Sequence, residues 1–204
     1  MKNLKVPFIF FFLFFLTFPC FSQENITKES EKSIFGIQTG FLGIWLHNET
    51  ALSSQWFLRS EAGLNLGFGG GGSYNEFQNS LGVTEGAAIV ASVSLEPRFY
   101  YNLEKRKQKK KNVFANSANF VAFKINYYPG LLVAAQYRDK VGYTEQLSFI
   151  PYWGIKRTIH EHFTYEAGAG LGYLHNLSFK GRLFNSFDDN ALFIHLHLRI
   201  GYTF

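Results

Sequence analysis

The stretch ALFIHLHLRIGYTF, residues 191–204, decides how the chain is read. Successive strand side chains point to opposite faces, so the stretch is taken with period two. One face carries Ile194, Leu196, Leu198, Ile200, Tyr202 and Phe204; the other carries Phe193, His195, His197, Arg199, Gly201 and Thr203. The first face is apolar and closes on two aromatics, while the second is mostly polar. In a soluble sandwich the apolar face turns to a core. In a membrane barrel it turns to lipid and leaves the polar face in the lumen.

The same alternation recurs upstream. Residues 34–46 read as one strand, with Phe35, Ile37, Phe41 and Trp45 opposite Gly36, Gln38 and Gly40, and residues 47–54 as a polar connection. Residues 55–68 set Trp56, Leu58, Ala62, Leu64 and Leu66 against Arg59, Glu61, Gly63 and Asn65. Residues 87–103 set Ile89, Val93, Leu95 and Phe99 against Ser92, Ser94, Glu96, Arg98 and Tyr100. Residues 120–128 set Val121, Phe123, Ile125 and Tyr127 against Ala122, Lys124 and Asn126. Residues 146–155 place Trp153 opposite Tyr152, Gly154 and then Lys156; residues 162–175 place Tyr165, Leu171 and Tyr173 opposite Glu166, Gly168, Gly170 and Gly172.

The chain opens MKNLKVPFIFFFLFFLTFPCFSQ, with Lys2 and Lys5 ahead of a short apolar run and small residues at Cys20 and Ser22. This pattern reads as a secretory signal peptide over residues 1–22. Residues 23–33 read as a flexible lead-in and residues 34–204 as the barrel domain. Two of the 20 Lys and Arg fall in the leader and none of the 15 Asp and Glu, so 18 bases against 15 acids leave +3 for the mature chain. That is too mild to argue for nucleic acid. The only Cys lies in the leader, which takes disulfide and thiolate chemistry away from the mature protein. Aromatics make up 19% of the chain, and abundant Gly with short alternating runs suits a barrel.

The expected fold is all-β: an antiparallel up-and-down transmembrane β-barrel. Seven strands are visible, but a single-chain bacterial barrel with both ends on one side needs an even number. The eighth is expected in residues 23–33 or within a long connection. KRKQKKK and RTIHE fall at the end of the chain termini; the longer connections starting at GGGGSYNEF, Pro129 and Asn176 fall at the other. KRKQKKK reads as a solvated turn near headgroups, and GGGGSYNEF lacks the context of a phosphate loop.

The Phe terminus behind alternating apolar residues resembles the C-terminal strand of bacterial outer-membrane barrels, which serves as their assembly signal. The resemblance implies Tyr202 and Phe204 as that signal here. Together with the leader, LEPRFYYNLEKRK, SFIPYWGIKRTI and YEAGAGLGY look like the small outer membrane β-barrel protein group of Bacteroidota-type bacteria. That likeness implies a porin-like cell-envelope barrel in a Gram-negative outer membrane. Its implied partners are outer-membrane lipid and lipopolysaccharide, with the barrel-assembly machinery at the C-terminal strand. It carries over no catalytic residue.

The expected lumen set is Arg59, Glu61, Glu96, Arg98, Lys124, Lys156, Glu166, His195, His197 and Arg199. Such a set lines an ion path or fills the interior with paired charges, since eight strands leave a bore just wide enough for side chains. The filled reading is the one adopted, with Gly168, Gly170 and Gly172 the main argument for free space. His195, His197 and Glu166 invite comparison with a zinc site, but two His on one strand are a weak signal and no metal or cofactor is assigned. His175 with Ser186, Asp188 or Asp189 raises a lipid A deacylase-like site at the outer rim; the spacing matches no motif. The expected function is a structural or narrow-channel, non-enzymatic barrel. The alternatives are the lipid-modifying enzyme and a soluble ligand-binding barrel.

Overall fold

The computed structural model describes residues 32–69, 86–136, 143–159, 161–180 and 190–204. The expected signal peptide, most of the lead-in and the GGGGSYNEF loop lie outside these residues. Among the described residues nine strands form one antiparallel sheet: β1 Ser33–Gly40, β2 Gly43–Ala51, β3 Trp56–Gly69, β4 Gly86–Phe99, β5 Asn119–Pro129, β6 Leu132–Ala135, β7 Tyr143–Ile159, β8 Phe163–Lys180 and β9 Asn190–Thr203. Eight of them close a barrel in the order β1-β2-β3-β4-β5-β7-β8-β9, with β9 returning to β1. The short β6 continues along the β4 edge past β5, pairing at residues 88–90. A helix, α1 (Leu103–Gln108), and a 3-10 turn (Phe114–Asn116) lie between β4 and β5.

The eighth barrel strand comes from neither place expected. Residues 34–46 are not one strand but most of a hairpin, in which Gly40 faces Gly43 across a two-residue turn, Phe41-Leu42. Two-residue hairpins usually announce themselves by Asn-Gly or Asp-Gly, because the favoured turns need positive φ. Neither Phe41 nor Leu42 has positive φ, so the sequence carries no such signal. The missed turn also reversed a parity. Trp45 stands opposite Gln38 and shares its inward face, whereas Ile44 and Leu46 point outward. A slip in register moves every side chain to the other face, and it hides Glu49, which falls in the expected polar connection over residues 47–54.

Outside, the alternation holds around the circumference. Phe35, Trp56, Leu64, Val93, Leu95, Val121, Phe123, Trp153, Phe163, Leu171 and the whole outward row of β9 are exposed, with Leu198 at 65%. The row from Leu192 to Tyr202 runs about 33 Å at ~3.3 Å per residue, which is about 25 Å in height at the ~40° tilt of such strands. At the end of the chain termini Phe204 stacks on Phe35, and its N–H donates to the Phe35 carbonyl (2.9 Å). That contact extends a seam of only five paired positions, from Gly36–Thr203 to Gly40–Arg199.

The connection carrying KRKQKKK is not simply a solvated turn. Lys105, Lys109, Lys110 and Lys111 are exposed, but Leu103 and every residue from 112 to 118 are buried. This segment folds back into the barrel mouth. Leu103, Val113 and Ala118 pack with Phe57, Tyr100, Phe120, Ala122, Ile150 and Tyr152, and Phe114 with Ala115 packs on Ile34. Ala115 and Asn116 adopt the left-handed conformation (φ 48° and 58°), which costs about 1–2 kcal/mol at a non-glycine residue. Burial of the cap and a hydrogen bond from Asn116 offset that cost.

Candidate functional site: the charged interior

The register of β2, β3, β4, β5, β7, β8 and β9 turns four glutamates and five bases into the barrel. Glu49, Glu61, Glu96 and Glu166 lie among Arg59, Arg98, Lys124, Lys156 and Arg199, all buried. Unpaired charges in such a place are costly, so the question is how completely each is matched.

Glu166 on β8 is the hub. Its Oε1 accepts from Arg59 Nη1 (2.8 Å) and Gln38 Nε2 (2.9 Å); its Oε2 accepts from Arg98 Nη2 (3.0 Å) and His197 Nε2 (2.9 Å). Glu61 accepts from Arg59 Nε (2.6 Å), Arg199 Nη1 (2.6 Å), Lys124 Nζ (2.5 Å) and Ser94 Oγ (3.1 Å). Glu96 accepts from Arg98 Nε and the Tyr152 hydroxyl, both at 2.5 Å, and among the described residues its second oxygen has only Lys124, at 4.0 Å. Glu49 accepts from Tyr100 OH (3.0 Å), Asn116 Nδ2 (2.6 Å) and Lys156 Nζ (3.2 Å). Each carboxylate thus has at least two donors, and most have at least one charge-assisted bond shorter than 3 Å.

All ten residues expected in the lumen point inward, and nine of them are buried; His195 is partly exposed. The structure brings nine together through direct contacts and leaves His195 beside them, its ring 5.3 Å from Tyr152. Sequence reasoning missed Glu49, which lowers the formal imbalance from five bases against three acids to five against four. It also missed Asn116, which no periodicity could have revealed, and the part played by Gln38, Tyr100 and Tyr152. Those three were on the inward face by parity but carry no charge.

Gly168, Gly170 and Gly172 do not leave room on the wall. A Cβ at Gly170 would stand 2.4 Å from Tyr152 Cβ, and one at Gly172 would stand 2.1 Å from the Phe193 ring. The space is occupied by those side chains. Trp45 fills the wall likewise, resting on Gly43 and Gly63, with the Arg199 guanidinium 3.9 Å from its ring centre. Below the network, Phe57, Tyr100, Phe120 and Tyr152 form a chain of ring contacts at 5.3–5.6 Å, and Arg98 lies 4.3 Å over Phe120.

What can this arrangement do chemically? Glu166 has both oxygens saturated by guanidinium, amide and imidazole donors, so with His197 it is spoken for as a hydrogen-bond pair rather than as a metal ligand. Among the described residues no group of three or more His, Cys, Asp or Glu is placed to hold a metal ion. At the far rim His175 is half-buried, with its Nδ1 2.7 Å from Asn190 Oδ1, an oxygen that also accepts from Tyr173 OH. Ser186, Asp188 and Asp189 lie outside the described residues. Tyr202, expected in the assembly signal with Phe204, faces outward and contacts His162, Phe163 and Phe204. The arrangement is suited to locking strands together across the bore. Comparison with protein-family models, with curated proteins and with solved structures finds no match in any of the three.

Proposed function

We propose that this protein is an integral outer-membrane β-barrel with an occluded lumen, a structural and non-enzymatic component of a Gram-negative cell envelope. On this reading residues 1–22 are a cleaved signal peptide, the C-terminal strand engages the barrel-assembly machinery, and the outer wall meets lipid and lipopolysaccharide. The observation that carries it is the inversion of polarity. The four glutamates and five bases of the network are buried inside, while large apolar side chains stand exposed around the outside. A ligand-binding barrel in water requires the opposite. The height of the apolar row, about 25 Å, equals that of the lipid-facing band of such barrels. No helix among the described residues is long and apolar enough to cross a membrane, so a crossing would fall to the strands. The lumen is closed rather than conducting because each carboxylate is held by two or more donors and the cap fills one mouth.

Fractionation tests this reading. The mature protein is expected in the outer membrane, resistant to carbonate extraction, and with heat-modifiable migration in detergent gels. Recovery in the soluble periplasm would overturn it.

A further inference from the structure

At the end of the chain termini, outside the barrel, four side chains form a linked group that the lumen network does not use. Tyr101 OH accepts from Trp153 Nε1 (2.9 Å) and Asn119 Nδ2 (3.2 Å). A tyrosine hydroxyl both donates and accepts, and here its oxygen accepts two bonds while its hydrogen meets no acceptor among the described residues. Asn119 Oδ1 accepts from Arg157 Nη2 (2.6 Å), and Arg157 Nη1 donates to the Lys156 carbonyl (2.7 Å). The Asn119 N–H donates to Asn102 Oδ1 (2.8 Å), and the Asn102 carbonyl accepts from the Arg106 N–H (3.0 Å). This ladder joins the first turn of α1 to the strand bearing Arg157.

Among the described residues the Arg106 side chain makes one hydrogen bond, Nη2 to the Asn112 carbonyl (2.9 Å), and its buried Nε has no partner. Among the described residues neither Arg106 nor Arg157 has a carboxylate partner; Glu104, two residues from Arg106, is taken by Lys107 at 3.4 Å. Burial, and then the positive charge of Arg157, push the Arg106 guanidinium below the usual arginine pKa. Two guanidiniums and a hydroxyl donor therefore share one rim, with no carboxylate among the described residues to balance them. The exposed basic residues Lys105, Lys109, Lys110 and Lys111 adjoin on the same connection. Trp153 of the group and its cross-strand neighbour Val121 are exposed and lie toward the middle of the wall, while exposed Tyr165 stands level with Arg157.

We infer that Tyr101, Arg106 and Arg157 form a binding site for the phosphate group of an anionic phospholipid, whose acyl chains lie along Trp153 and Val121. Guanidiniums match phosphate geometry with paired donors, and an amphipathic rim of aromatics beside cations fits a headgroup better than it fits a free anion. The inference rests on the membrane reading above.

The test is native mass spectrometry of the full mature protein in detergent, titrated with phosphatidylglycerol, phosphatidylcholine or inorganic phosphate. The wild type should retain phosphatidylglycerol in preference to phosphatidylcholine. Arg157→Gln and Arg106→Gln should each weaken retention by roughly tenfold, the effect of one lost charge-assisted bond, with heat-modifiable migration unchanged. Lys111→Gln, on the same run but outside the ladder, should leave it nearly intact. Equal weakening by Lys111→Gln would overturn the site in favour of diffuse attraction by the basic run, and displacement of the lipid by inorganic phosphate would overturn the lipid assignment. A protein that floats with vesicles yet shows no lipid preference refutes only this site; one that fails to float refutes the membrane reading itself.

Discussion

The two halves of the bore are built differently. The half next to the chain termini holds the charges, the rings of Phe57, Tyr100, Phe120 and Tyr152, and the cap from residues 112–118. The half next to the other loops is lined by small or neutral groups: Ala88, Val90, Asn65, Ser92, Asn126 and Ser148. There the contacts are modest, such as Asn65 Nδ2 to Ser92 Oγ at 2.7 Å. Long charged side chains can be buried only where they reach several strands and find several partners each. The capped half supplies both conditions, and its cap contributes directly through Asn116 and Tyr100 on Glu49. The neutral half has no such obligation and can be lined by short side chains.

Glu166→Gln should give the largest loss. It removes a charge facing Arg59 and Arg98, and breaking a buried pair in this way costs about 3–5 kcal/mol. The midpoint of urea unfolding, read from heat-modifiable migration in vesicles, measures it. Glu96→Gln is expected to cost less, because a glutamine oxygen still accepts from Arg98 Nε and Tyr152. A larger loss for Glu96 than for Glu166 would show that the hub is misassigned.

The outer wall offers the next contrast. Leu198→Arg should cost about 2–4 kcal/mol in a bilayer, whereas Leu192→Arg, six residues nearer the end of the strand, should cost about 0–1 kcal/mol. Both leucines are well exposed, so in water the two variants would behave alike. Thr203, inward by parity, is a poor control for this purpose because it is buried at the sealed mouth and bonded to the His162 carbonyl.

Asn116→Ala tests the cap. Loss of its bond to Glu49 at a left-handed position should cost about 1–3 kcal/mol, read in the same unfolding assay. Ser92→Ala, in the neutral half, should cost about 1 kcal/mol or less. Equal losses for Asn116 and Ser92 would erase the distinction between the halves.

A residue's face is legible in the sequence where the residue lies inside an unbroken alternating run. β3, β4, β7, β8 and β9 alternate for ten or more residues, so Arg59, Glu61, Glu96, Arg98, Lys156, Glu166, His197 and Arg199 fell on the inward face by counting alone. Trp45 and Glu49 follow a turn without positive φ, where counting passes straight through and inverts. The cap NVFANSA has no period at all; its burial comes from the mouth it enters, not from any pattern of its own. The glycines of β8 were legible as missing side chains, but which neighbour would lie over them was not. Tyr152 and Phe193 do so because the register sets them beside Gly170 and Gly172.

Whether the barrel is sealed by its own side chains is decided by planar-bilayer recording of the purified, folded protein. A sealed barrel leaves the membrane quiet, with at most small and rare current steps for the wild type across the voltage range. Steady, large, porin-like steps from the wild-type protein would contradict it.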